Sequence, residues 1–119
     1  MFAKNLLILF SITFLAACSP HPGAGGWRAS SPDAAFERLE IRYDGRADFY
    51  TRSTDKASAW RCFWARIDDQ TAGLKCISAA DENMERQFQL IVDAGGRNAV
   101  LKQGQNALGQ YAWQPPTDP

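Results

Sequence analysis

Ala59-Trp60-Arg61-Cys62-Phe63-Trp64-Ala65-Arg66-Ile67, followed by Leu74-Lys75-Cys76-Ile77-Ser78-Ala79, reads as two extended segments with a polar stretch between them. Successive side chains of a strand point to opposite faces. Trp60, Cys62 and Trp64 therefore share one side, and Arg61, Phe63 and Ala65 share the other. Placing Cys62 directly across from Cys76 sets Trp64 opposite Leu74 and Trp60 opposite Ser78. It also collects Arg61, Phe63, Lys75 and Ile77 on the second face. The charges mark that face as outer, and the tryptophans mark the first as core. A disulfide between Cys62 and Cys76 fits such a hairpin if the pair is not hydrogen-bonded, because the Cα atoms then approach most closely. A metal site needs more ligands, and the one histidine, His21, lies far off in the sequence.

The same two-residue period continues outward in both directions. Leu39 and Ile41 alternate with Arg38, Glu40 and Arg42, and beyond Gly45 Ala47 and Phe49 alternate with Asp48 and Tyr50. A three-residue loop, Tyr43-Asp44-Gly45, with Gly45 left-handed, pairs Arg42 with Arg46, Ile41 with Ala47 and Leu39 with Phe49, which puts every apolar residue on one face. Further on, Phe88, Leu90 and Val92 alternate with glutamines, Asp93-Ala94-Gly95-Gly96 is a turn, and Asn98–Lys102 and Gln110–Gln114 read as two more strands. These make seven, and Trp27 marks an eighth. Ser31-Pro32-Asp33 is a helix-start signal that Ala34-Ala35-Phe36 extends by a turn or two at most. Closely spaced strands without intervening helices form an antiparallel meander, and closing it removes the raw edges. The expected fold is all-β: a small up-and-down barrel of about seven or eight strands with one short N-terminal helical turn. A tryptophan, a short helical turn and then a meander is also the order of lipocalin-like barrels, a likeness of architecture that carries no function.

Met1–Asn5 carries one basic side chain, and Leu6–Ala17 is apolar except for Ser11 and Thr13. That run has the length of a signal-peptide core and is short for a membrane span. It ends in Leu15-Ala16-Ala17-Cys18, which resembles the lipobox of bacterial lipoproteins: an apolar residue, two small residues that fit the signal peptidase, then the cysteine whose thiol takes a diacylglyceryl group. The resemblance implies that residues 1–17 are a signal peptide and that Cys18 becomes the acylated, palmitate-bearing N-terminus. An ordinary secretory signal or an N-terminal membrane helix is the alternative; position, flanks and box together favour the lipoprotein. Each acyl chain contributes about 0.8 kcal/mol per buried methylene, so two or three chains hold essentially permanently.

Residues 18–26 then read as the lipidated cysteine and a flexible Pro/Gly tether, 27–114 as one β domain, and 115–119 as a disordered, proline-rich tail. An exported chain meets an oxidising compartment, which supports the disulfide. With 13 basic and 13 acidic residues the chain is neutral, and no basic stripe points to nucleic acid. One histidine and paired cysteines leave no Ser-His-Asp or Cys-His set, and no glycine-rich loop cradles a phosphate. Asp68-Asp69 and Asp81-Glu82 lack the alternating oxygen pattern of a calcium loop and read as solvated turns. Trp60, Trp64, Trp113 and Phe88 read as core before they read as a sugar or lipid pocket. The glutamines late in the chain, at 87, 89, 103, 105, 110 and 114, give a polar outer face. No cofactor and no metal are expected.

Leu101-Lys102-Gln103-Gly104 followed by Leu108-Gly109-Gln110-Tyr111 resembles a stretch of the membrane-bound lysozyme inhibitors, small β-barrel lipoproteins with a disulfide. The likeness covers about a dozen residues. Leu108 stands where that family has a serine, Tyr111-Ala112-Trp113 replaces its aromatic-Trp-x-Lys-Gly segment, and the cysteines sit elsewhere, so no functional residue is carried over. The leading expectation is a lipid-anchored envelope protein with a non-catalytic periplasmic domain. Ser19, in place of the aspartate that retains many lipoproteins in the inner membrane, favours the outer membrane. An inhibitor or immunity protein against a lysozyme or protease comes second, presenting the turn Gly104–Gly109. A hydrolase of cell-wall glycan comes third.

Overall fold

A computed structural model describes residues 21–52 and 57–115. The expected signal peptide, Cys18 and the part of the expected tail beyond Pro115 lie outside the described residues. The fold is a closed barrel of eight antiparallel strands, each paired with its neighbours in sequence and the last with the first. The strands are β1 (Gly25–Ala29), β2 (Arg38–Ile41), β3 (Arg46–Tyr50), β4 (Trp60–Arg66), β5 (Thr71–Ser78), β6 (Glu85–Val92), β7 (Asn98–Gln103) and β8 (Asn106–Gln114).

The hairpin that set the register folds as its alternation dictates. Cys62 stands opposite Cys76, Trp64 opposite Leu74 and Trp60 opposite Ser78. The disulfide is formed, with its Cα atoms 4.0 Å apart. On β2–β3, Ile41 faces Ala47 and Leu39 faces Phe49. The Arg42 amide donates to the Arg46 carbonyl at 2.8 Å, and Gly45 adopts φ +89°, as the three-residue loop requires. The inward residues Trp27, Leu39, Phe49, Ala72, Leu90, Leu101 and Tyr111 are fully buried. Trp60 and Trp64 point inward at opposite ends of β4 and are half-buried against the core.

Strand direction sorts the loops into two groups. The turns 42–45, 67–70 and 93–97, the incoming residues 21–24 and Pro115 lie at one end of the barrel, here the entry end. The segment 30–37, residues 51–52 and 57–59, the loop 79–84 and the turn 104–105 lie at the far end.

Three expectations are corrected by how the chain closes these ends. First, the described part of the expected tether is folded: Gly25 and Gly26 are already strand, and Ala24 is buried. The Trp27 indole donates to the Gly23 carbonyl at 2.9 Å, which draws residues 21–24 across the entry end as a stopper. Second, the expected helical turn at Ser31 does not form a helix: the chain makes a single hydrogen-bonded turn, closed by the Ala34 amide on the Ser31 carbonyl at 3.3 Å. The next amides are taken elsewhere: Ala35 donates to the Leu108 carbonyl and Phe36 to the Tyr111 hydroxyl. The Ser31 hydroxyl caps no helix; it accepts from the Gln110 amide of β8 at 2.9 Å. Third, the expected loop 104–109 is a tight turn at Gly104-Gln105 followed by strand, with a bulge where Leu101 pairs with Gly109 but Lys102 with Ala107. Gly109 sits at φ +141°, and a Cβ there would fall 2.6 Å from the Ala34 backbone, so only glycine lets the far-end cover approach β8.

Candidate functional site

The interior is lined by apolar and aromatic side chains. Among the described residues no charged side chain is buried, the buried Trp27 indole and Tyr111 hydroxyl both bond to backbone, and Phe36, Phe49, Phe88 and Trp60 fill the far end in tilted and edge-on ring contacts with centroids 4.9–6.2 Å apart. Phe36 stoppers this end through its own backbone. The Tyr111 hydroxyl donates to the Phe36 carbonyl at 2.9 Å and accepts from the Phe36 amide at 3.1 Å.

Burial pushes the Tyr111 phenol up to about 12, with Glu37 adding to the rise and the bond to Phe36 opposing it. A raised value means that the fold favours the protonated form. That stability is fully present below the ordinary value of 10.0 and is lost as pH rises toward about 12. The barrel is therefore expected to unfold in strong base between about pH 10 and 12, with the Tyr111 phenolate appearing only as the circular dichroism collapses. Ionisation of Tyr111 at constant dichroism is the outcome that contradicts this.

Acidic pairs flagged in the sequence serve the turns. Asp68 Oδ1 accepts from the Gln70 amide at 2.9 Å, and Asp81 Oδ1 from the Asn83 amide at 3.0 Å. Asp69 pairs with Arg66. The same device at Asp93, which accepts from the Arg97 and Asn98 amides and from the Asn98 side chain, holds its carboxyl below the ordinary value; bonds from Asn98 are the largest cause. Among the described residues no group of three or more His, Cys, Asp or Glu side chains is placed to hold a metal ion.

Contact chemistry lies on the outside of the wall. Glu40, Asp48, Arg61, Ile77 and Glu85 form one row across β2–β6, and Arg46, Phe63, Lys75 and Gln87 form the next. Arg42 bridges Asp48 at 3.1 Å and Glu40 at 3.3 Å. Although partly desolvated, its guanidinium is held above its ordinary value by those two carboxylates. Arg38 lies 3.9 Å over the Tyr50 ring. Beside this tied-down half lies an open one: Phe63 is 67% exposed and Ile77 43%, with Arg46, Arg61 and Lys75 at neighbouring positions. An open groove runs over Arg42, Arg46, Asp48, Arg61, Phe63 and Ile77.

No protein-family model, no curated protein and no solved structure matches the chain. The surface therefore has to be read on its own chemistry, as arginine donors beside an exposed aromatic ring.

Of the residues singled out in the sequence, the structure joins Cys62 to Cys76, places the Leu101–Tyr111 resemblance on the β7–β8 hairpin, and leaves Cys18 outside the described residues. Alternation alone groups Arg61, Phe63, Lys75 and Ile77 on the outer face, but the approach of Arg46 to Phe63 and the Tyr111–Phe36 lock are not evident in the sequence pattern. The first depends on how β3 lies beside β4. The second joins residues 75 positions apart and has no local signal.

Proposed function

We propose that this chain is an envelope lipoprotein, held by lipid on Cys18 in the outer membrane and facing the periplasm, whose barrel works by contact on its outer surface and catalyses nothing. One observation carries this reading: the barrel is filled by its own side chains and stoppered at both ends by its own backbone, so anything it meets, it meets outside. The membrane, through the lipid, is its first partner, and an envelope protein is the second. The test has two parts. Mass spectrometry of the purified protein is expected to find an acylated Cys18 as the first residue, and Cys18→Ser to abolish membrane retention. Crosslinking in envelope fractions is expected to depend on the wall, so that Phe63→Asp with Arg61→Glu removes the adducts. An unacylated N-terminus, or adducts indifferent to the wall, would overturn the corresponding half.

A second reading, inhibition of a lysozyme, is favoured by the position of the β7–β8 hairpin. Its Gly104-Gln105 tip lies at the far end, away from the residues that lead to Cys18, and is free to reach an enzyme. The tip is uncharged, so affinity has to come from shape and hydrogen bonds, without electrostatic steering. The unlipidated chain from Ser19 onward, in excess over lysozymes of several classes, is expected to slow cell-wall lysis by at least one. Gln105→Asp, on the exposed tip, is expected to relieve it. Leu108 is unsuitable for this test because it is packed against the core.

A further inference from the structure

We propose that the barrel does not swing on a tether but stands end-on against the bilayer, with its entry end in the lipid headgroup layer; this rests on the reading of Cys18 as the lipid anchor. Chain length comes first. His21 is fixed on the barrel: its Nδ1 accepts from the Gly23 amide at 3.0 Å, so the proton sits on Nε2, which donates to the Asp68 carbonyl at 2.8 Å. Its ring lies 5.8 Å from that of Trp64. Only Ser19 and Pro20 separate it from Cys18. Three residue steps span at most about 11 Å. The headgroup layer on each side of a bilayer is about 5–7 Å thick. An acylated Cys18 therefore lets the entry end rise no more than about 4–6 Å clear of the headgroups, even with the chain fully extended.

The end so held is suited to lie there. Tyr43 in the β2–β3 turn is 74% exposed, Ile67 after β4 is 56% exposed, and Trp113 at the end of β8 is 40% exposed. Three of the six large hydrophobics that the described surface exposes thus gather at the end where the chain enters. Aromatic side chains with a polar edge are the types that settle at a membrane–water interface. Charge there is balanced, with Arg42, Arg46, Arg66 and Arg97 against Asp44, Asp68, Asp69 and Asp93. The contact accordingly needs no anionic lipid. The far end, with the Gly104-Gln105 tip, then points straight away from the membrane.

The test uses the full lipidated protein in phosphatidylcholine vesicles in which part of the lipid is brominated near the headgroup, with acylation of Cys18 verified by mass in the same sample. Two of the four tryptophans, Trp64 and Trp113, sit at the entry end. Intrinsic fluorescence is expected to be quenched, equally with or without added phosphatidylglycerol. Tyr43→Ser with Ile67→Ser, both exposed, is expected to reduce the quenching at least twofold without changing the circular dichroism. His21→Ala, which frees the latch and lengthens the leash, is expected to do the same. Vesicle-bound, acylated protein whose fluorescence ignores the brominated lipid would overturn end-on docking and leave the lipoprotein reading intact. An unacylated Cys18 would overturn both.

Discussion

Replacing Trp27 by alanine is expected to lower the free energy of unfolding by about 3–5 kcal/mol, the range for truncating a buried indole. Trp27 is fully buried on β1, between Leu39 of β2 and Trp113 of β8, at the seam where the barrel closes. Truncation leaves a cavity that flanking strands cannot fill, because each is held in register on its other side. It also removes the donor that ties Gly23, and with it the entry stopper, to the core. Trp27→Phe separates the two effects: most of the volume stays, and the Gly23 carbonyl loses its partner at a cost of about 1–3 kcal/mol. Urea unfolding followed by circular dichroism measures both. A loss below about 1 kcal/mol for Trp27→Ala would mean that the seam is not part of the cooperative core.

The second large effect belongs to the Cys62–Cys76 bond. Joining residues 14 apart constrains the unfolded chain by about 3 kcal/mol in the chain-entropy picture, and removal from small exported domains costs about 2–5 kcal/mol. A domain of this size buries little more than about 60% of its unfolded surface, so an increment of this size is a large fraction of its net stability. Both cysteines are buried and inward, and alanine in both places keeps the face apolar; the loss therefore reports mainly the missing link. Thermal unfolding with and without reductant, compared with the double Cys→Ala variant, is expected to show one shared lowered midpoint. An unchanged midpoint would show that the hairpin holds its register without the bond.

The wall of the barrel was legible in the sequence, for a physical reason. Each hairpin joins consecutive segments, and its register follows from which residues must face inward. Trp60, Cys62 and Trp64 against Leu74 and Cys76 leave no other choice, and Ile41 and Phe49 act likewise on β2–β3. The two stoppers were not legible. His21–Gly26 has the composition of a linker, and nothing local says that the Trp27 indole will draw Gly23 over the entry end. Ser31-Pro32-Asp33 has a genuine helix-start composition, yet Leu108 and Tyr111, more than seventy positions away, take the amides a helix would need. The bulge at Leu108-Gly109 belongs to the same long-range contact. For the candidate site, the outward alternation carried Arg61, Phe63, Lys75 and Ile77, and only Arg46, which reaches Phe63 from β3, depends on the pairing of β3 with β4.

The seam between β1 and β8 has a bearing on how the molecule comes into being. Every other pairing joins strands that follow one another, so seven hairpin contacts form by short-range closure, quickly and in any order. Trp27 waits. Its partner Trp113 lies on the last strand of the barrel, so until β8 has been made and docked the largest core side chain has no cover on one side. The nascent barrel is an open, curled ribbon with an apolar edge strand, the form most prone to pair with a neighbour. A chain interrupted before β8 stays in that state, and docking of β8 against β1 is the event that converts a sticky ribbon into a closed cylinder.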